Sequence, residues 1–161
     1  MKNPIFVVLA EGVDTDFAPL VTTKLLFPFL GKPFIAHVLE MIHSAGSKEV
    51  IIVCNKTNRK TIENISFTNM RIKTVVHNES SSQADAFRKV AKLVPDDQPI
   101  IIINGVELID PLLLKNFIKK ASKTYAQIMA MKVSEHFPGD YLEVAQDRVI
   151  SINENLEKSK D

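Results

Sequence analysis

Ile5-Phe6-Val7-Val8-Leu9-Ala10-Glu11-Gly12 is the stretch that decides the fold. Its first part is short, apolar and β-branched, which suits a strand buried on both faces of a parallel sheet. It is far shorter than the ~20 residues needed to cross a bilayer, and so is the other strongly apolar run, Ile100 to Ile103. It also runs straight into Glu11 without a small-residue cleavage pattern, so it reads as a strand rather than a signal peptide.

Downstream the pattern alternates. A helix is predicted from Pro33, with Phe34, Ile35, Val38, Leu39 and Ile42 on one face and Gly46 as its stop. A buried strand follows over Val50 to Cys54, then a helix around Thr57 to Ile65 and a third strand, Ile72 to His77. Ser81 or Ser82 caps the next helix, which carries Ala84, Phe87, Val90, Ala91 and Val94 and closes at Pro95. Pro99 to Ile103 is the most apolar strand. Asp110 and Pro111, a cap and a first-turn proline, open a helix to about Ala121. A strand is predicted over Ala126 to Val133, and Tyr141 to Ala145 with Arg148 to Asn153 form a hairpin around Gln146-Asp147. Repeated strand, helix, strand units imply an α/β fold, a mostly parallel, doubly wound sheet with helices on both faces and a late β-hairpin. Ligands of such sheets bind at the carboxyl ends of the strands.

The chain has 161 residues, room for one domain, and 45% hydrophobic with 24% charged residues excludes disorder as its main state. A formal net charge of +1 gives no overall field toward nucleic acid or an anionic membrane. One cysteine, Cys54, excludes an internal disulfide and a multi-cysteine zinc site, and a reducing, cytoplasmic setting fits best.

Phe6-Val7-Val8-Leu9-Ala10-Glu11-Gly12, Pro19-Leu20, Lys24, Pro28, Gly31-Lys32-Pro33, Ala45-Gly46 and Glu49-Val50-Ile51-Ile52-Val53 follow one another in a characteristic order and spacing. In this they resemble the sugar-1-phosphate nucleotidyltransferase family, whose members couple a nucleoside triphosphate to a sugar phosphate and release pyrophosphate, with a Rossmann-like fold and magnesium. Weaker likeness continues through Ala84-Asp85-Ala86, Asn104-Gly105, Tyr141 and Glu154. The resemblance implies a single nucleotidyltransferase-like domain over residues 1–161, short of the family's usual length. It places nucleotide contacts at Ala10, Glu11, Gly12, His77, Ser82, Gln83 and Gly105 and the sugar side at Tyr141, Leu142 and Glu154. Lys24 aligns with the family's phosphate-contacting lysine and is the one candidate catalytic residue.

The departures from the family's pattern cluster in the site. Its first loop reads roughly leucine, alanine, alanine, glycine, any, glycine, threonine, arginine, and here the run is Leu9-Ala10-Glu11-Gly12-Val13-Asp14-Thr15-Asp16. A phosphate cradle needs glycines and a cation, whereas this loop keeps one glycine and gains acids. Two like charges ~4 Å apart repel by about 4 kcal/mol at an effective dielectric of ~20. Where the family reads the base with glutamine, glycine and threonine, this chain has His77, Ser82 and Gln83. The family's magnesium-binding aspartate after the fourth strand becomes Val106, and Glu107 lies one place late, usable only if the loop rearranges. Leu142 adds bulk where the family has a sugar-contacting glycine.

The expectation is therefore a catalytically impaired relative acting as a regulatory or structural subunit, or as a sugar-nucleotide binder, in a homo- or hetero-oligomer without membrane or nucleic acid. Non-catalytic subunits of sugar-nucleotide pyrophosphorylases resemble such a domain. The alternative is an active magnesium-dependent transferase in which Lys24, Glu107 and Glu154 make a reorganised site.

Other residues carry competing readings. Asp14-Thr15-Asp16 has the spacing of a metal-bound glycosyltransferase motif or is an acidic solvated loop. His77 either meets a base or is a polar strand end. His37 reads as a surface residue, His43 as a favourable charge at a helix end, and His136 has no evident partner. Lys115, Lys119 and Lys123 share one helix face, without the interleaved aromatics of nucleic-acid readers. Cys54 reads as a small buried hydrophobe, and no Gly-x-Ser-x-Gly elbow supports a hydrolase.

Overall fold

The computed structural model describes residues 3–12, 23–65, 67, 70–78, 83–121, 126–135 and 139–153. The chain divides into two compact units, residues 1–124 and 125–161. The first unit is built on β1 (Ile5–Ala10), β4 (Glu49–Cys54), β5 (Arg71–Val76) and β6 (Ile100–Asn104), all parallel, in the order β5-β4-β1-β6. β1 lies inside the sheet, with Phe6 beside Val50 on one flank and Ile101 on the other. This position explains its composition. Phe6, Val8 and Ala10 enter one apolar cluster while Ile5 and Val7 enter a second on the opposite face, so neither face tolerates a polar residue.

The larger cluster is closed by α1 (Phe34–Ser44), α2 (Arg59–Glu63) and α4 (Pro111–Ala121), through Ile35, Val38, Leu39, Ile62 and Leu114. α3 (Gln83–Ala91) closes the other face with Ala86 and Val90. Helices on both faces are thus present. α1 buries a broad stripe from Ile35 to Ile42 and stops at Gly46, whose φ of 101° needs a residue without Cβ. Asp110 caps α4 through Oδ1, which accepts the N–H groups of Leu112 at 2.9 Å and Leu113 at 3.0 Å. Cys54 is fully buried in the larger cluster, and burial pushes its thiol pKa up, as suits a packing residue.

A short ladder not foreseen in the sequence pairs β2 (Pro28–Phe29) with β3 (Lys32–Pro33) around Leu30 and Gly31, both at positive φ. Below it His37 does more than sit at the surface: its Nε2 lies 2.8 Å from the Phe29 carbonyl oxygen, and its ring packs against Phe29 and Phe34. His43 packs edge-on against Phe67, beyond the charge role expected of it.

In the second unit β7 (Tyr141–Ala145) and β8 (Arg148–Asn153) form the expected hairpin, with Gln146 and Asp147 at φ of 49° and 60°. The strand expected over Ala126 to Val133 is not formed. None of the sheets includes that segment, and Ile128, Met129 and Met131 are exposed. Without a ladder for its backbone groups or a face to bury, β propensity has nothing to act on.

Candidate functional site

From β1 the chain moves outward to β4 and β5, then returns across the opposite face through α3 to place β6 on the other side of β1. The topological switch point therefore lies between the carboxyl ends of β1 and β6, where open α/β sheets bind ligands. Ala10, Glu11 and Gly12 leave β1 there, and Gly105 and Val106 leave β6. The two turns are tied together, with the Gly105 N–H donating to the Leu9 carbonyl at 2.9 Å. A Cβ on Gly105 would collide with Leu25 Cδ2 and come within 2.9 Å of the Leu9 oxygen, so glycine is needed for this close approach. Among the described residues, nothing lies within 4 Å of where a Cβ on Gly12 would stand.

Two asparagines missed in the sequence reading fix the β1 turn. Asn55 and Asn58 are buried just past β4, and each side-chain oxygen accepts the other's backbone N–H, at 2.8 and 3.0 Å. Their amide groups reach across to β1. Asn55 Nδ2 donates to the Glu11 carbonyl at 3.0 Å and Asn58 Nδ2 to the Ala10 carbonyl at 2.6 Å. The only signal in the sequence was the Asn-x-x-Asn spacing directly after a buried strand.

The structure brings Glu11 and His77 together. His77 follows β5 and holds its place by donating its N–H to the Cys54 carbonyl at 2.8 Å. Its Nδ1 lies 4.0 Å from Glu11 Oε2 over the end of β4, with side chains only 6% and 15% exposed. Oε2 is buried and has no hydrogen-bond partner among the described residues. Burial raises the Glu11 carboxyl above the ordinary glutamate value, and the nearby imidazole partly opposes that rise.

Lys24 opens a half-buried turn of 3-10 helix, Lys24–Leu26, whose Leu25 packs under Gly105. Val106 is half-buried against the larger apolar cluster and its N–H points at Asn104 Oδ1, 3.3 Å away. Glu107 is exposed. Gln83 is the first residue of α3. Tyr141 and Leu142 lie on β7 in the second unit, opposite Asn153 and Ile152. Asp14, Asp16, Ser81, Ser82, Lys123, His136 and Glu154 lie outside the described residues.

Residues 5–158 match the nucleotidyl transferase family. The chain belongs to that family. Among curated relatives, the bifunctional protein GlmU of Buchnera aphidicola (subsp. Acyrthosiphon pisum, strain Tuc7) is 26% identical over 160 residues, covering 98% of this chain and 34% of its own length. The chain thus spans about a third of that relative. HddC from Yersinia pseudotuberculosis, solved in complex with GMP-PN, superimposes with a TM-score of 0.75 at 23% identity, over 94% of this chain and 69% of that one. Rv0371c from Mycobacterium tuberculosis, solved in complex with manganese, does so at 0.59 and 18% identity, over 76% and 61%. These likenesses confirm the nucleotidyltransferase fold, its parallel sheet and its late hairpin.

The family's divalent cation is a poor fit to the described residues. The place after Gly105 offers the apolar Val106, and among the described residues no group of three or more His, Cys, Asp or Glu side chains stands close enough to hold a metal. No helix among the described residues is long and apolar enough to cross a membrane.

Proposed function

We propose that this member of the nucleotidyl transferase family is catalytically impaired and serves as a regulatory or structural subunit, or as a sugar-nucleotide binder, within an oligomer. The observation that carries this reading is the chemistry at the switch point. The turn after β6 presents Val106, packed toward the core, where the family resemblance expects a metal-binding acid. The turn after β1 presents an acid, Glu11, whose carboxylate is buried beside His77. A triphosphate arriving there meets a negative group where it needs a positive one, and the side chain that follows Gly105, Val106, offers a bridging cation no oxygen. Beside these, the turns themselves are firmly held, by the close approach at Gly105 and the Asn55–Asn58 clamp. This is what a fold retained for binding or assembly keeps.

Calorimetric titration with nucleoside triphosphates and nucleotide sugars, with and without magnesium or manganese, tests the proposal. Binding of a nucleotide sugar that does not depend on the metal supports a binder, and silence throughout supports a partner role. Tight metal-dependent binding of a triphosphate overturns both, in favour of an active transferase built on Lys24, Glu107 and Glu154.

A further inference from the structure

At the opposite end of the sheet, where the strands begin, the first unit holds a cleft of about 380 Å³. Its walls come from the residues before β1, the start of β4, the start of β5 and the chain after α3. Lys48, Arg71 and Lys73 line it, with a single acid, Glu49. That acid is shared. Lys73 Nζ lies 2.5 Å from Glu49 Oε1, while Arg71 Nη1 stays 3.8 Å from Oε2 with its side chain 72% exposed. Lys48 is exposed and has no ion pair among the described residues. The cations thus exceed the carboxylate by two charges, in a concave site that Pro4, Leu93 and Pro95 also line.

The backbone around the cleft is fixed. The Arg71 N–H donates to the Lys48 carbonyl at 2.8 Å, Ser47 Oγ donates to the Glu49 carbonyl at 2.8 Å, and Gln98 Nε2 donates to the Asn3 carbonyl. Lys48 and Arg71 therefore project from anchored positions rather than from a loose loop. A planar guanidinium and an ammonium lining one cleft can together receive phosphate oxygens. An excess of two positive charges in a cleft that Leu93 and two prolines also line matches a doubly charged phosphate group carrying an organic body.

We infer that this amino-end cleft binds a small phosphate monoester, with the phosphate on Lys48 and Arg71 and the organic part against Pro4, Leu93 and Pro95. The site is independent of the switch point, so it stands whether or not nucleotides bind there.

The test is a titration of the full chain with phenyl phosphate and with inorganic phosphate, followed by amide chemical shifts. The inference predicts saturable shifts at Lys48, Glu49, Arg71 and Lys73, tighter binding of phenyl phosphate, and no response at Glu11, Gly12 or Gly105. The double variant Lys48→Gln/Arg71→Gln, which removes two charges at exposed side chains without adding an acid opposite Glu49, keeps its thermal unfolding midpoint and loses at least about tenfold in affinity. Absence of saturation, shifts confined to Glu11, Gly12 and Gly105, or unchanged affinity in the double variant would overturn the site. Equal affinity for the two probes would overturn the ester and leave free phosphate as the ligand.

Discussion

Replacing Gly105 with alanine adds one methyl group where β1 and the Lys24–Leu26 turn already meet. The new carbon would strike Leu25 Cδ2 and sit 2.9 Å from the Leu9 carbonyl oxygen. Leu25 is only 3% exposed, so its side chain has little room to retreat, and the Leu9 oxygen belongs to an internal strand. Forcing an extra methyl into such packing costs about 1–3 kcal/mol. If the turn instead backs away, it gives up the 2.9 Å bond from the Gly105 N–H to Leu9, a net loss of about 0.5–1.5 kcal/mol. Gly105→Ala should therefore lower stability by about 0.5–3 kcal/mol, according to which response is the cheaper, read as a fall in the urea midpoint with the slope unchanged. Adding Leu25→Ala removes one of the two obstacles, so the double variant should be more stable than the sum of the single effects predicts. A Gly105→Ala protein within about 0.5 kcal/mol of the parent, or strict additivity in the cycle, would refute the close-approach argument.

Further substitutions probe the parts around it. Asn58→Ala removes the bond to the Ala10 carbonyl and the acceptor for the Asn55 N–H, leaving buried groups unpaired, and should cost about 2–4 kcal/mol in urea unfolding. Asp110→Ala takes away the cap of α4 and should cost about 0.5–2 kcal/mol by the same measurement. Because burial raises the Glu11 carboxyl in the folded state, the unfolded chain releases that proton first as pH rises. Its contribution to stability is full below the ordinary glutamate value and is lost as pH climbs through the raised one. Glu11→Gln should therefore flatten that fall and make the protein more stable than the parent at neutral pH, which thermal unfolding across a pH series will read. A variant equally sensitive to pH would contradict the assignment.

The sheet was legible because β1, β4 and β6 are short, strongly apolar runs and its helices carry local stops and caps, as at Gly46 and Asp110. The segment over Ala126 to Val133 was misread for the reason those strands were read well: its residues favour extended chain, yet a strand exists only where another pairs with it. The Pro28–Phe29 and Lys32–Pro33 ladder was hidden by its prolines, which argue against a strand in any local reading. At the site, Glu11, His77 and Gly105 were visible because each stands directly after a strand. The pairing of Asn55 and Asn58 with carbonyls 44 and 48 residues away was not, since side-chain contacts across a sheet leave no local trace.

The central claim, that this chain keeps the fold of its family without its turnover, is tested most directly by pyrophosphate release. The full chain would be incubated with each nucleoside triphosphate, a panel of sugar 1-phosphates, and magnesium or manganese. The account predicts no release above a protein-free control. Release within about a hundredfold of ordinary enzyme rates, ~1–1000 per second, would contradict it.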